Sequence, residues 1–440
     1  CVRLTGSVRN LMSKQLVYTE FGDPIQVLKV RETEVPKLGS QDVLVRMLAA
    51  PINPADINTI QGKYPVKLML PCIAGNEGVG VVEEIGKEVS DVKPGNKVIV
   101  TRPVQGTWRD IATFDKNMLK VIPDNLGLVE AATLTVNPCT AYRMLTDFKP
   151  VRNGGMVVIQ NGANSACGQN VIQICKAWGV PNVNVVRNRP DINELKNYLQ
   201  SLGATYVLTE EELRSTTIFR EKKIDKPSLA LNCVGGKSSL EMLRHLAHSG
   251  CMVTYGGMSR EPVTIPTSSF IFKNLAFYGF WMTAWNDKAN SSTKDEMMSE
   301  VISLMCDKKL EAPVHKMVKF DKYKDAVGNT LSSKGFQGCK YILDFIYCGL
   351  AYFLPTVKQF FRCDVCFYKF NMQSWEACAT PVEKDIMYKK IIQEMTAGVF
   401  IAPTHVPIEI NNYVLALRNT VQSEAFSTFN YVFDFTLPCP

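Results

Sequence analysis

The chain has 440 residues, of which 46% are hydrophobic and 21% are charged, and it is long enough for two or three globular domains. The net charge of +7 is spread along the chain without basic blocks, so nucleic-acid binding is not expected. No apolar run reaches the roughly 18 residues that a membrane span needs, so no membrane span is expected either. The 14 cysteines are scattered through apolar segments, as is typical of reduced thiols in a protein core.

Residues 1–14 have the composition of a targeting segment. They contain Arg3, Arg9, Lys14 and several hydroxyl residues but no acidic residue. This composition fits the end of a mitochondrial transit peptide, and a disordered terminus is the alternative.

The first third of the chain is predicted to be rich in short strands. The predicted strands are Leu16–Tyr18, Ile25–Leu28, Val43–Met47, Val79–Ile85, Lys97–Val100 and Leu119–Ile122. Turn residues separate them, which favours a compact β-rich barrel. The stretch from Ala49 to Gly80 reads as long connections of the kind that carry catalytic groups. A helix is predicted over Glu130–Leu145, interrupted near Asn137.

The segment from Gly154 to Gly179 predicts the opening unit of a dinucleotide-binding fold. A predicted strand at Met156–Ile159 is followed by a cluster of turn residues and then by apolar residues at helical spacing. Small residues in such a turn allow backbone amides at the helix start to approach a pyrophosphate. Ala166 and Cys167 stand inside the turn, so a strict G-x-G-x-x-G pattern is absent.

The next predicted strand, Val183–Val186, ends at Arg187, Asn188 and Arg189. A free ribose 2′-hydroxyl favours an acidic residue at this position, whereas a 2′-phosphate favours guanidinium groups. The two arginines therefore favour NADPH over NADH, with a solvated basic loop as the alternative. Further βα units follow, including a predicted helix over Ile192–Leu202.

The sequence resembles the medium-chain dehydrogenase/reductase superfamily and, within it, the mitochondrial enoyl-thioester reductases. The matching segments are AAPINPADINTIQGKYP, GNEGVG, GTWR, AATLTVNPCTAYRML, IQNGANS, VVRNRPDI, SLGA, VLTEEEL, LALNCVGGKSS, MVTYGGM and GFW. The resemblance implies an α/β protein in which a Rossmann doubly wound parallel sheet is joined to a GroES-like β-rich catalytic domain. The implied divisions are a GroES-like domain at 15–142, a Rossmann domain at 143–282 and a return to the catalytic domain at 283–345.

The resemblance also implies a function and a set of site residues. The implied reaction is the NADPH-dependent reduction of the 2,3 double bond of trans-2-enoyl thioesters in mitochondrial fatty acid synthesis. Tyr64 takes the position of the family's catalytic tyrosine. The implied cofactor-binding residues are Asn137, Asn164, Ser165, Ala166, Cys167, Arg187, Asn188, Arg189, Tyr255, Gly256, Gly257, Met258, Phe280, Trp281, Met282 and Lys340. The implied partners are an acyl-carrier protein and a second copy of the chain, in the mitochondrial matrix.

No metal is expected in this site. Zinc-dependent relatives need a His-Glu pair and a cysteine, but this chain has Asn76-Glu77 and no cysteine between Cys72 and Cys139. A hydrogen-bond donor would then have to stabilise the negative charge on the substrate oxygen, and Tyr64 is the candidate. Trp108 is expected either to line the acyl pocket or to lie in the core.

The end of the chain repeats itself. Residues 277–345 align without gaps to residues 367–435 at a constant offset of 90, so 367–440 is predicted to be a degenerate duplicate of the closing segment. Lys340 is matched by Asn430, so the second copy lacks a predicted cofactor group. An apolar linker at 346–366 ends in Cys363-Asp364-Val365-Cys366, for which a zinc or redox site is an alternative.

Two rival functions remain open from the sequence. One is a zinc-free NADPH quinone reductase, against which the Tyr64 loop argues. The other is a binding protein in which the altered turn and the duplicated tail have disabled catalysis.

Overall fold

The computed structural model describes residues 11–66, 68–332 and 339–346, together with strand residues 406–408 and 431–433. The chain divides into two compact units, 1–349 and 350–440. Within the described residues, no helix has the length and apolar character needed to cross a membrane. Residues 1–10 of the predicted transit segment and the Cys363–Cys366 motif lie outside the described residues, whereas the last three residues of that segment, Met12–Lys14, belong to the first strand.

The first part of unit 1 is built from antiparallel strands. Its elements are β1 (Met12–Tyr18), α1 (Pro24–Val27), β2 (Lys29–Glu34), β3 (Asp42–Pro51), α2 (Pro54–Ile60), β4 (Cys72–Ile73), β5 (Val79–Ile85), β6 (Lys97–Val100), β7 (Ile111–Asp115), β8 (Leu119–Val121) and α3 (Leu128–Ala132), with a 3-10 helix at Lys116–Met118. Strand β3 is the centre of this part because it pairs with both β5 and β7. Its inward side chains, such as Val43, Val45 and Met47, form a core with residues of the neighbouring strands.

Two segments of this region differ from the sequence-based expectation. Ile25–Leu28 was expected to be a strand, but it lies in and just after helix α1. The Asp23 side chain accepts a hydrogen bond from the Ile25 amide, and Pro24 occupies the first helical position, so capping outweighs the β-branched residues. The predicted connection after Ala49 likewise contains helix α2, which begins at Pro54.

The middle of unit 1 is a parallel sheet with flanking helices. Its elements are α4 (Asn137–Asp147), β9 (Val158–Asn161), α5 (Ala166–Ala177), β10 (Asn182–Val186), α6 (Ile192–Leu202), β11 (Tyr206–Thr209), α7 (Glu210–Ser215), β12 (Leu229–Asn232), α8 (Gly236–His245), β13 (Cys251–Thr254), α9 (Thr267–Ile271) and β14 (Ala276–Gly279), with a 3-10 helix at Val151–Asn153. The strand order is β11-β10-β9-β12-β13-β14. This is the predicted doubly wound sheet, in which the strand order reverses next to β9.

The closing segment of unit 1 returns to the β-rich part. Its elements are α10 (Met282–Lys288), α11 (Ser291–Cys306), β15 (His315–Lys319), α12 (Tyr323–Leu331) and β16 (Lys340–Asp344), with a 3-10 helix at Phe320–Lys322. Strand β16 pairs in parallel with β15 and antiparallel with β3, which places Ile342 opposite Pro51. This return brings Lys340 beside the connection that follows β3.

Two strands of unit 2 are described, β17 (Val406–Ile408) and β18 (Tyr431–Phe433). They pair in parallel, with Val406 opposite Tyr431. In unit 1, Lys316 lies opposite Tyr341 in the parallel pair of β15 and β16. The two registers are therefore identical at the offset of 90 that the repeat predicts. The rest of the predicted duplicate and the linker before it lie outside the described residues.

Candidate active site

The predicted cofactor residues follow the carboxyl ends of neighbouring parallel strands. Asn164–Cys167 follow β9, and Arg187–Arg189 follow β10. Tyr255–Met258 follow β13, and Phe280–Met282 follow β14. Because carboxyl ends of parallel strands meet at one edge of a sheet, the structure gathers all four segments at that edge.

The turn between β9 and α5 has the geometry of a phosphate-binding turn. Gly162 adopts a positive φ of 58°, which favours glycine. A Cβ on Gly168 would lie only 2.6 Å from the Ala163 carbonyl oxygen, so this glycine permits close packing. Ser165 caps α5 by accepting a hydrogen bond from the Gly168 amide through its side chain. Ala166 is the first helical residue and has no left-handed backbone, so its methyl group introduces no strain.

The loop after β10 presents both arginines. Arg187 is exposed, and Arg189 is half-buried with its Nε atom enclosed and without a hydrogen-bond partner. An enclosed guanidinium nitrogen without a partner is costly unless an anion completes it. The residues present therefore fit the 2′-phosphate of NADPH.

The segment after β13, further along this edge of the sheet, has open backbone and a buried tyrosine hydroxyl. No heavy atom lies within 4 Å of the position that a Cβ on Gly257 would take, and Met258 is 71% exposed. Burial raises the pKa of the Tyr255 hydroxyl, and the neighbouring Cys167 and Cys233 thiols raise it further. Tyr255 therefore stays protonated, with its hydroxyl enclosed near Cys167 of α5 and Cys233, which follows β12.

Tyr64 lies against one of the predicted cofactor residues. The Trp281 indole Nε1 donates a hydrogen bond of 2.7 Å to the Tyr64 hydroxyl oxygen. The two rings also meet edge to face, with centroids 5.7 Å apart and planes at 82°. The structure thus joins the predicted catalytic residue to the segment that follows β14, although the two are 217 positions apart in sequence.

Lys340 and Asn137, both predicted cofactor residues, meet at Asn53. The Lys340 ammonium group and the Asn137 Nδ2 atom both donate to the Asn53 Oδ1 atom, the latter at 3.1 Å. Lys340 is only 7% exposed, and its ammonium group is bonded to the buried Asn53 side chain.

Two buried carboxyl groups complete this arrangement, and sequence analysis did not identify them as site residues. Glu77 accepts from Asn53 Nδ2 at 2.7 Å, and Asp56 accepts from Asn76 Nδ2 at 2.6 Å. Burial raises the pKa of Glu77, while Lys340 opposes the rise. The only indication in the sequence was that both residues lie in the long connections after Ala49, which lack a set of zinc ligands.

Trp108 belongs to the core. It is fully buried, and its indole Nε1 donates to the Pro51 carbonyl oxygen at 3.2 Å. Of the two alternatives left open by the sequence, the structure therefore supports core packing. Within the described ranges, no three His, Cys, Asp or Glu side chains converge on a possible metal site.

Comparison with known proteins decides the family. Residues 39–132 match the model of the alcohol dehydrogenase GroES-like domain, and residues 166–305 match that of the zinc-binding dehydrogenases. The mitochondrial enoyl-[acyl-carrier-protein] reductase of Mus musculus is 48% identical over 333 residues, which are 75% of this chain and 88% of that protein. The chain belongs to the enoyl-[acyl-carrier-protein] reductase family.

Solved structures of this family agree. The Etr1p complex with NADP and crotonyl-CoA is 34% identical and has a TM-score of 0.71, and the match covers 76% of this chain and all of that one. The Etr1p/Etr2p heterodimer from Candida tropicalis, a mitochondrial 2-enoyl thioester reductase, is 35% identical, with the same coverage and a TM-score of 0.71. The predictions of an enoyl-thioester reductase, an NADPH cofactor, a Rossmann plus GroES-like fold and a mitochondrial location are thereby confirmed.

Proposed function

We propose that this enoyl-thioester reductase uses Tyr64 as the hydrogen-bond donor to the carbonyl oxygen of a trans-2-enoyl thioester. The observation that carries the proposal is the contact of 2.7 Å between the Tyr64 hydroxyl oxygen and the Trp281 indole. A phenol has one hydrogen to donate and can accept with its oxygen. Because the oxygen accepts from Trp281, the hydrogen of Tyr64 stays available for the substrate.

The chemistry needs such a donor. When bound, NADPH supplies the hydride that adds to carbon three of the double bond. Negative charge then develops on the thioester carbonyl oxygen, and a donor placed beforehand stabilises that charge. Tyr64 is also the candidate proton source for carbon two, because a positioned phenol can act as a general acid.

The cofactor-binding roles follow from the edge of the parallel sheet. We assign the pyrophosphate to the amides of Asn164–Cys167 at the start of α5, and the 2′-phosphate to Arg187–Arg189. Tyr255–Met258 and Phe280–Met282 are assigned to the nicotinamide half. Asn137 and Lys340, which meet at Asn53, complete the proposed set.

The partners and the compartment are proposed from the family. The substrate class includes thioesters of an acyl-carrier protein, whose acidic surface would be attracted by the net charge of +7. The matrix of the mitochondrion is the proposed compartment, and a homodimer is the proposed assembly. Domain divisions at 15–142, 143–282 and 283–345 are proposed on the same basis.

Replacing Tyr64 with phenylalanine tests the central role. We expect Tyr64→Phe to lower kcat with a trans-2-enoyl thioester by about 100-fold or more, the usual scale for a general acid, and to leave NADPH binding unchanged. Turnover is followed by NADPH oxidation, and binding by quenching of protein fluorescence. Tyr278→Phe, which alters a 47% exposed tyrosine on β14, is the matched control and should behave as wild type. Wild-type turnover of Tyr64→Phe would mean that Tyr64 takes no part in the mechanism. If the wild-type enzyme oxidised NADPH with a quinone but not with the thioester, the proposed substrate class would be wrong.

A further inference from the structure

A cluster of buried charged and amide side chains surrounds the start of helix α2. We call Asn53, Asp56, Asn76, Glu77 and Lys340 the buried cluster, and none of them is more than 8% exposed. Charged groups are rarely buried to this extent unless they are paired and hydrogen-bonded. We therefore expect the cluster to have a role that offsets the free-energy cost of burying its charges.

The hydrogen bonds of the cluster join three separate parts of the chain. Asn53 donates to Glu77 through Nδ2 at 2.7 Å and to Asp56 through its backbone amide at 2.7 Å. Lys340, on β16, donates to the Asn53 Oδ1 atom. The second Glu77 oxygen accepts from the Val136 amide at 3.0 Å, at the start of α4. Asn53 is thus the hub through which α2, β16 and α4 are held together.

Helix α2 connects the buried cluster to the proposed donor. Asp56 lies in its first turn, and Asn76 fixes it from outside the helix by donating to Oδ1 at 2.6 Å. Two residues further along, the Asn58 carbonyl oxygen accepts from the Lys63 amide at 2.8 Å and from the Tyr64 amide at 3.2 Å. The backbone position of Tyr64 is therefore tied to the helix that Asp56 anchors.

We propose that Asp56 is a positioning residue for the reduction: as a carboxylate held by Asn53 and Asn76, it fixes α2 so that the Tyr64 hydroxyl faces Trp281 and the substrate. This inference rests on the proposed role of Tyr64. Asp56 itself does not contact the reacting atoms in this scheme. Both of its oxygens accept hydrogen bonds from N–H groups, an arrangement that a carboxylate satisfies and a protonated acid does not.

The charges around Asp56 predict how this anchor responds to pH. Burial, together with a smaller effect of Glu77, raises the pKa of Asp56 to about 7, although the Asn53 amide, Lys340 and Asn76 oppose the rise. Among the described residues, the Tyr18 hydroxyl on β1 also interacts with Asp56. Because the carboxylate is the anchoring form, kcat should fall as the pH drops below about 7 and Asp56 gains a proton.

The test is a pair of matched asparagine substitutions. Asp56→Asn places an amide NH2 against N–H donors, so we expect kcat to fall by about 10- to 100-fold, with NADPH affinity unchanged and with the acidic limb of the pH profile lost. Asp110→Asn is the control, because Asp110 is equally buried and accepts from the Lys14 amide at 2.9 Å but lies outside the buried cluster. It should keep the wild-type kcat and pH profile. Asn76→Ala, which removes the anchor from outside α2, should reproduce the loss if Asp56→Asn fails to fold.

A double-mutant cycle separates positioning from general stability. If Asp56 acts through Tyr64, Asp56→Asn should cost little further activity in a Tyr64→Phe background. Equal losses in both backgrounds, or an unchanged pH profile in Asp56→Asn, would overturn the inference while leaving the role of Tyr64 intact. Wild-type turnover of Tyr64→Phe would overturn the proposed function and this inference together.

Discussion

At the scale of single residues, the Tyr64 hydroxyl depends on one neighbour for its orientation. Its oxygen accepts from the Trp281 indole, and the edge-to-face contact of the two rings limits how far either can turn. A donor that is already oriented needs no reorganisation when charge develops on the substrate. Trp281 is thus expected to matter for turnover even if its ring also packs against the cofactor.

Replacing Trp281 with phenylalanine separates the hydrogen bond from the ring. We expect Trp281→Phe to lower kcat by about 3- to 10-fold, the value of one neutral hydrogen bond, which is less than the loss expected for Tyr64→Phe. The control is Trp285→Phe, because the Trp285 ring stacks on Arg143 at 4.6 Å and donates nothing to Tyr64. Steady-state kinetics with saturating NADPH measures both. Equal decreases in the two variants would mean that the indole hydrogen bond has no special role.

At the scale of elements, the sequence predicted the bounds of a helix best where a capping residue and an apolar face indicated the same bounds. Helix α6 begins and ends at the predicted Ile192 and Leu202, since a left-handed glycine follows the helix and Leu195 and Leu199 lie on its buried face. At Ile25 the apolar residues indicated a strand, but the side chain of Asp23 caps a short helix there. Capping is a single-residue effect that a pattern of apolar residues does not register.

The candidate site was predictable only in part, for a topological reason. Strand order places every strand-following segment at one edge of the sheet, so the positions of Asn164–Cys167 and Arg187–Arg189 followed from the βα pattern. The hydrogen bond from Lys340 to Asn53 joins residues 287 positions apart, and it exists because β16 pairs with β3. No local pattern contains that pairing, so the buried cluster became visible only in the folded chain.

The loop after β10 leads to a prediction about the choice between NADPH and NADH. A 2′-phosphate gains charge-assisted hydrogen bonds from arginine that a free hydroxyl does not. We expect Arg187→Ala to raise the KM for NADPH by about 10-fold or more while the KM for NADH changes little. Arg152→Ala, which removes an exposed arginine paired with Glu300 at 2.7 Å, is the control. A parallel rise in both KM values would assign the loop to general affinity and not to phosphate recognition.

At the scale of the whole molecule, the repeat gives the chain two candidates for its closing strand. In unit 1 the first copy is in place, since Phe345 is buried and its amide donates to the Leu48 carbonyl oxygen at 3.0 Å. In unit 2 the strands β17 and β18 have the register of β15 and β16. Because the second copy has the same strand pairing, we expect it to compete with the first copy for pairing with β3. The two copies differ at one position that contributes to the buried cluster.

That position is Lys340, which the second copy replaces with Asn430. If the first copy closes the active unit, Lys340→Asn removes the nearby positive charge that favours ionised Glu77 and the donor to Asn53, and we expect this to lower the stability together with most of the activity. The reverse change, Asn430→Lys, adds the ammonium group to the copy that does not serve the site, so it should alter neither. Thermal unfolding followed by circular dichroism, with NADPH oxidation assayed in parallel, measures both variants. If Lys340→Asn keeps part of the activity and the double variant Lys340→Asn/Asn430→Lys has more, the second copy can take the place of the first.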